Sequence, residues 1–175
     1  VKNILVNNAN TGEKTIRLLE HGLHFEFLDT YNQLNKFETK KKFKLNNRRP
    51  IIGVISKFIE LKGIQYVIQA VKKLLINEPN LLILFIGSQG ADSKLILNLL
   101  ASALPEKNYT ILEYNYNIFE MYCMFDIFIH VPIDQEIEAF GLTYIESLAC
   151  KVPSIFTLSG IATEFIKNKH NAYVV

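Results

Sequence analysis

The sequence has little of what would mark a disulfide-stapled, metal-binding or membrane-spanning chain. Its two cysteines, Cys123 and Cys150, fit no metal-ligand spacing. Each lies in an apolar segment, so both are expected to be small buried hydrophobes in a reducing cytosol. No apolar run approaches the roughly 18 residues of a membrane span, and no signal peptide opens the chain. Internal repeats and low-complexity tracts are absent too. Net charge is only +2 over 175 residues, and no nucleic-acid partner is expected. What remains is an ordinary globular composition, 49% hydrophobic and 21% charged, with length for one domain and its core. The chain does not begin with methionine and starts in mid-pattern, as expected for a piece of something longer.

The charge is unevenly spread. KFETKKKFKLNNRRP, residues 36–50, holds seven basic residues and one acid. Such a stretch suits either an anionic membrane surface or acidic substrate, or a solvated linker kept extended by its own repulsion.

From residue 51 strands and helices alternate. The apolar runs at 50–56, 80–87, 109–113, 126–131, 153–157 and 172–175 read as strands. The stretches 63–79, 91–104, 117–125, 142–150 and 161–168 read as helices. In the first of these Ile64, Val67, Ile68, Val71 and Leu75 recur at helical spacing. This alternation predicts an α/β fold, a Rossmann-like parallel sheet with helices on both faces and ligands at the strands' carboxyl ends. Residues 1–47 fall outside the rhythm, with a short helix or loop, a strand near Thr15–Leu19, then the basic segment.

The stretch EAFGLTYIE, residues 138–146, places carboxylates eight positions apart around Gly141. Thr143 and Glu146 fit a capping box, which would make Glu146 only a helix opener. Alternatively, Gly141 turns the chain tightly into a helix whose free N–H groups face an anion. Glu138 and Glu146 would then accept hydrogen bonds from sugar hydroxyls, suiting a diphosphate that carries two sugars. Lys57 and Lys62, in the loop after the first strand, could converge on that diphosphate or simply be solvated. IGSQG at 86–90 ends a strand with Gly87 and Gly90 but lacks the third glycine of a dinucleotide fingerprint. A tight turn or close backbone approach to a ligand fits it better.

GVISKFIELKG, LFIGSQG, FDIFIHVPIDQEIEAFGLTYIESLACKVPSI, SGIATEFI and NAYVV follow in this order. Together they resemble the C-terminal domain of the family 4 glycosyltransferases, retaining enzymes of the GT-B fold with two Rossmann-like domains across a cleft. The resemblance covers about 48–175, and a glutamate, seven residues and a second glutamate form its signature. It implies that 48–175 is the nucleotide-sugar-binding domain, truncated at its C-terminus. Residues 1–47 would be the end of the N-terminal domain and a basic interdomain linker, with HGL at 21–23 near a family turn.

The resemblance also implies roles. Glu146 would hold the ribose, Glu138 would act catalytically beside the donor sugar, and Phe140, Gly141 and Leu142 would lie against sugar and phosphates. Lys57 and Lys62 would neutralise the leaving diphosphate, so no metal or other cofactor is expected. The partners implied are a nucleotide-sugar and an acceptor glycan or glycolipid held by the N-terminal domain. A cytoplasmic enzyme follows, with peripheral attachment to the membrane's inner face compatible with the basic segment. Base recognition is placed near Tyr114.

Some residues depart from the family pattern. Lys57 stands where arginine is usual, which removes bidentate phosphate binding. Lys151 replaces the glycine that usually ends the motif helix. The loop VPIDQEIE is long, and its Asp134 and Glu136 are candidates for sugar choice. His21, His24, His130 and His170 receive no catalytic role, and His130 is expected to serve packing. A sugar-nucleotide epimerase, a phosphorylase or a non-catalytic binding module of the same fold are the alternatives.

Overall fold

The computed structural model describes residues 22–23, 25–113 and 117–175. The expected strand near Thr15–Leu19, His21, His24 and Tyr114 lie outside them. Two helices, α1 (Phe25–Asn32) and α2 (Lys36–Lys42), precede the sheet. The basic segment therefore folds, where an extended linker was expected. Asn35 caps α2, its side chain accepting from the N–H groups of Phe37 and Glu38 at 3.0 and 3.1 Å. Three lysines fill the helix's last turn, where the macrodipole favours cations. The Asp126 carboxylate takes Lys36 at 2.7 Å, Lys40 at 3.0 Å and the Ile51 N–H at 2.8 Å. Lys42 pairs with Glu120, and Arg48 donates to the carbonyls of Leu81 and Lys107. Four of the seven basic side chains are thus engaged within the molecule, which weakens the case for a membrane-facing patch. No helix among the described residues is long and apolar enough to cross a membrane.

The sheet starts with β1 (Ile51–Ile55), buried at every position. A 3-10 turn at Glu60–Lys62 leads into α3 (Ile64–Leu74), and β2 (Leu82–Ile86) is again wholly buried. α4 (Ser93–Ala103), β3 (Tyr109–Leu112), α5 (Ile118–Met124) and β4 (Ile127–His130) follow. α6 (Leu142–Ala149), β5 (Ser154–Phe156), α7 (Ala162–Phe165) and β6 (Tyr173–Val174) complete the order. The six strands run parallel in the order β3-β2-β1-β4-β5-β6. Chain direction across the sheet therefore reverses between β1 and β4, the place where such sheets open a ligand crevice.

Alternation along β1 divides the core. Ile52 and Val54 pack with Val67, Ile68, Ile96 and Leu100 of α3 and α4. Ile51 and Ile55 share the opposite cluster with Phe128, Tyr144 and Phe156. Burying each of these aromatic rings contributes about 2 kcal/mol. The expected alternation holds, but two helices are shorter than their apolar patterns. α3 stops at Leu74 rather than Pro79, where the chain tightens into turns with the Ile76 N–H on the Lys73 carbonyl and the Asn77 N–H on that of Leu74. α7 stops at Phe165 because the Asn171 side chain captures the Phe165 carbonyl and the Lys167 N–H.

Candidate functional site

At the start of α6, Gly141 adopts φ +77° and ψ 60°, and a Cβ there would lie 2.6 Å from the Tyr144 ring. The N-cap is Gly141, with no side-chain cap, so the capping box anticipated at Thr143 does not form. Thr143 is already helical, and its would-be partner Glu146 turns away. Glu146 accepts the Tyr122 hydroxyl of α5 at 2.9 Å instead. Burial raises the Glu146 carboxyl above its usual range, and the Tyr122 hydrogen bond opposes this only in part. The uncapped first turn of α6 keeps N–H groups for an anion.

Glu138 follows β4 and is held at two levels. Its N–H donates to the fully buried Ser159 hydroxyl at 3.0 Å. Its Oε1 receives Lys62 Nζ at 2.6 Å and faces His130 Nε2 at 2.8 Å. Burial alone would raise this carboxyl, but the hydrogen bonds and charges of His130 and Lys62 bring it down to about 2. It is an anion at neutral pH, with the other oxygen unpartnered among the described residues.

Lys62 reaches Glu138 because its loop passes close to β4. A Cβ on the next residue, Gly63 (φ +72°), would sit 2.0 Å from the Val131 carbonyl oxygen. Only glycine permits that approach, so the sequence KG here fixes where the ammonium group lies. Lys57 is separate. It is exposed and lines a cleft of about 490 Å³ with Ser56, Gly87, Gln89, Glu113 and Thr143. The Gly87 turn beside it is braced by Ser93, whose hydroxyl bonds the Ser88 and Gly90 carbonyls at 2.7 Å.

Of the anticipated residues, Lys57, Gly87 and the start of α6 share one cleft, while Lys62 joins Glu138 and Glu146 reaches α5. Phe140 and Leu142 flank the Gly141 turn, each half-buried. Lys57 lines this cleft and Lys62 does not. His130 is the main residue that sequence reasoning missed. It is 4% exposed as packing requires, yet it contacts Glu138 directly. A histidine ending a strand eight positions before a motif glutamate was the available signal. Tyr122 and Ser159 gave none. A larger groove of about 810 Å³ lies over the β4–β6 side; it is mainly apolar, with Asp134 its one charged lining residue.

The sequence matches the family described as Glycosyl transferases group 1 over residues 35–175. It is 29% identical over 152 residues to the N-acetyl-alpha-D-glucosaminyl L-malate synthase of Bacillus anthracis, covering 86% of this chain and 39% of that protein. Its fold superposes on a glycosyltransferase of Rickettsia africae with a TM-score of 0.80 and 27% identity, covering 99% of this chain and 46% of the other. The C-terminal domain of a group 1 glycosyl transferase from Francisella tularensis gives a TM-score of 0.68 at 25% identity, over 81% of this chain and 74% of that one. The chain thus spans less than half the length of the first two of these proteins. With the fold, the glutamate pair and the family match in agreement over most of its length, this chain belongs to the group 1 glycosyl transferases.

Proposed function

We propose that this chain is the donor-binding part of a retaining glycosyltransferase that uses a nucleotide-activated sugar. One observation carries the reading: an ionised Glu138 after β4 lies against Lys62 from the loop after β1, where the strand order reverses. On this reading residues 48–175 form the donor-binding domain and residues 1–47 lead in from an acceptor-binding domain. Glu146 holds the ribose hydroxyls, and the Gly141 turn with Phe140 and Leu142 lies along the sugar and phosphates. Gly87 lets the backbone approach the nucleotide.

Transfer breaks the bond from the anomeric carbon to the diphosphate oxygen, which keeps the electron pair. Lys57 and Lys62 stabilise that departing charge, so the reading requires no metal. Glu138 faces the positive charge growing at the anomeric carbon. An acceptor hydroxyl from a glycan or glycolipid then bonds this carbon on the face the diphosphate left. Its proton passes to the leaving phosphate oxygen.

Saturation-transfer NMR of this chain with UDP-glucose, GDP-mannose and ADP-glucose tests the assignment. One of them should receive saturation on base, ribose and sugar protons alike, with no product accumulating. Epimerised sugar without acceptor would favour the epimerase alternative, and no saturation from a folded chain would count against a donor site.

A further inference from the structure

We propose that His130 is a positioning residue for Glu138, holding its carboxylate in place while Lys62 shares its donors with an anion. This deepens the donor-site reading, and its first test does not depend on that reading. Both His130 Nε2 and Lys62 Nζ converge on one oxygen, Oε1. An ammonium group has three N–H donors, so a diphosphate would draw part of the Lys62 charge away from this carboxylate. His130 is the other side-chain partner of the carboxylate among the described residues.

The ring is built to hold still. It is 4% exposed, stacked on Phe128 with planes 6° apart, and met edge-on by Tyr144 at 4.8 Å between centroids. Glu138 is an anion with no proton to give, so Nε2 carries the hydrogen and donates it. Tyr144, the other titratable group against the ring, spends its hydroxyl proton on the Thr157 carbonyl at 2.8 Å. Burial, reinforced by Glu138, pushes this phenol far up, so it stays neutral. His130 therefore fixes one carboxylate oxygen and leaves the other for the ligand.

The test compares the wild-type chain with His130→Leu, which removes the donor, and His130→Gln, whose amide replaces Nε2–H. Carbon-13 NMR of the ligand-free chain follows the Glu138 carboxyl. The wild-type midpoint should fall well below the ordinary carboxylate range, rise in His130→Leu, and return part of the way in His130→Gln, whose amide supplies the hydrogen bond but not the charge. An unmoved midpoint in His130→Leu overturns the inference. Calorimetry with UDP, UDP-glucose, GDP and GDP-mannose then measures how much the sugar adds to binding. His130→Leu should leave diphosphate affinity within about twofold and cut the sugar's gain about tenfold, with His130→Gln restoring it. Equal weakening of diphosphate and sugar-nucleotide, or no rescue by glutamine, also overturns it. A folded wild-type chain that binds no nucleotide counts against the donor-site reading alone, since the Glu138 midpoint still decides the histidine's hold.

Discussion

Two glutamates of one motif live in opposite environments. Glu138 sits between a lysine and a histidine and is held down to about 2. Among the described residues the Glu146 side chain is hydrogen-bonded by a tyrosine hydroxyl, and burial raises it. Their chemistry should differ accordingly, one a fixed charge and the other an acceptor for hydroxyl groups. The folded-state value of Glu138 lies below its ordinary 4.5. Its contribution to stability is therefore fully present above about 4.5 and is lost as pH falls toward about 2. Thermal unfolding from pH 2 to 7 should show this loss in the wild type and a flatter profile in Glu138→Gln. Equal profiles would mean that the carboxylate gains nothing from its two partners.

Among the elements, α6 shows most plainly what a sequence does and does not reveal. Its boundaries were legible from apolar spacing and Gly141. Its capping was not, because Thr143 and Glu146 satisfy a local rule that a partner on α5 overrides. At its other end Lys151 takes φ +55°, while the Val152 N–H bonds the Ser147 carbonyl at 3.0 Å and the Lys151 N–H that of Leu148 at 2.9 Å. This is a left-handed cap of the kind glycine serves, made here by a lysine. The cap thus persists without glycine, under strain. Lys151→Gly should raise stability by about 0.5–1 kcal/mol, read from the denaturant midpoint. A loss would mean that the lysine makes a compensating contact. The basic segment was misread for a related reason. Its charge pattern suggested repulsion, but Asp126, 75 residues after Ile51, gathers two of the lysines and that residue's N–H.

At the scale of the whole molecule the parallel sheet was legible throughout, since continuously apolar strands between amphipathic helices admit few other arrangements. The candidate residues could be singled out in the sequence, whereas which of them touch one another could not. Spacing grouped Lys57 with Lys62 but did not reveal that the loop's approach to Val131 also brings Lys62 against Glu138. His130 was hidden because a buried histidine at a strand end looks the same in sequence whether it packs or holds a carboxylate. The account implies that Lys62 divides its donors between Glu138 and the bound diphosphate while His130 holds the carboxylate. Calorimetric titration of the chain with UDP, GDP and ADP, repeated with Glu146→Ala, tests the central claim most directly. The account predicts that one diphosphate binds and that the variant loses at least about tenfold in affinity, as expected when an acceptor of sugar hydroxyls is removed. Undiminished binding by the variant would contradict it, and so would a folded wild-type chain that binds none of the three.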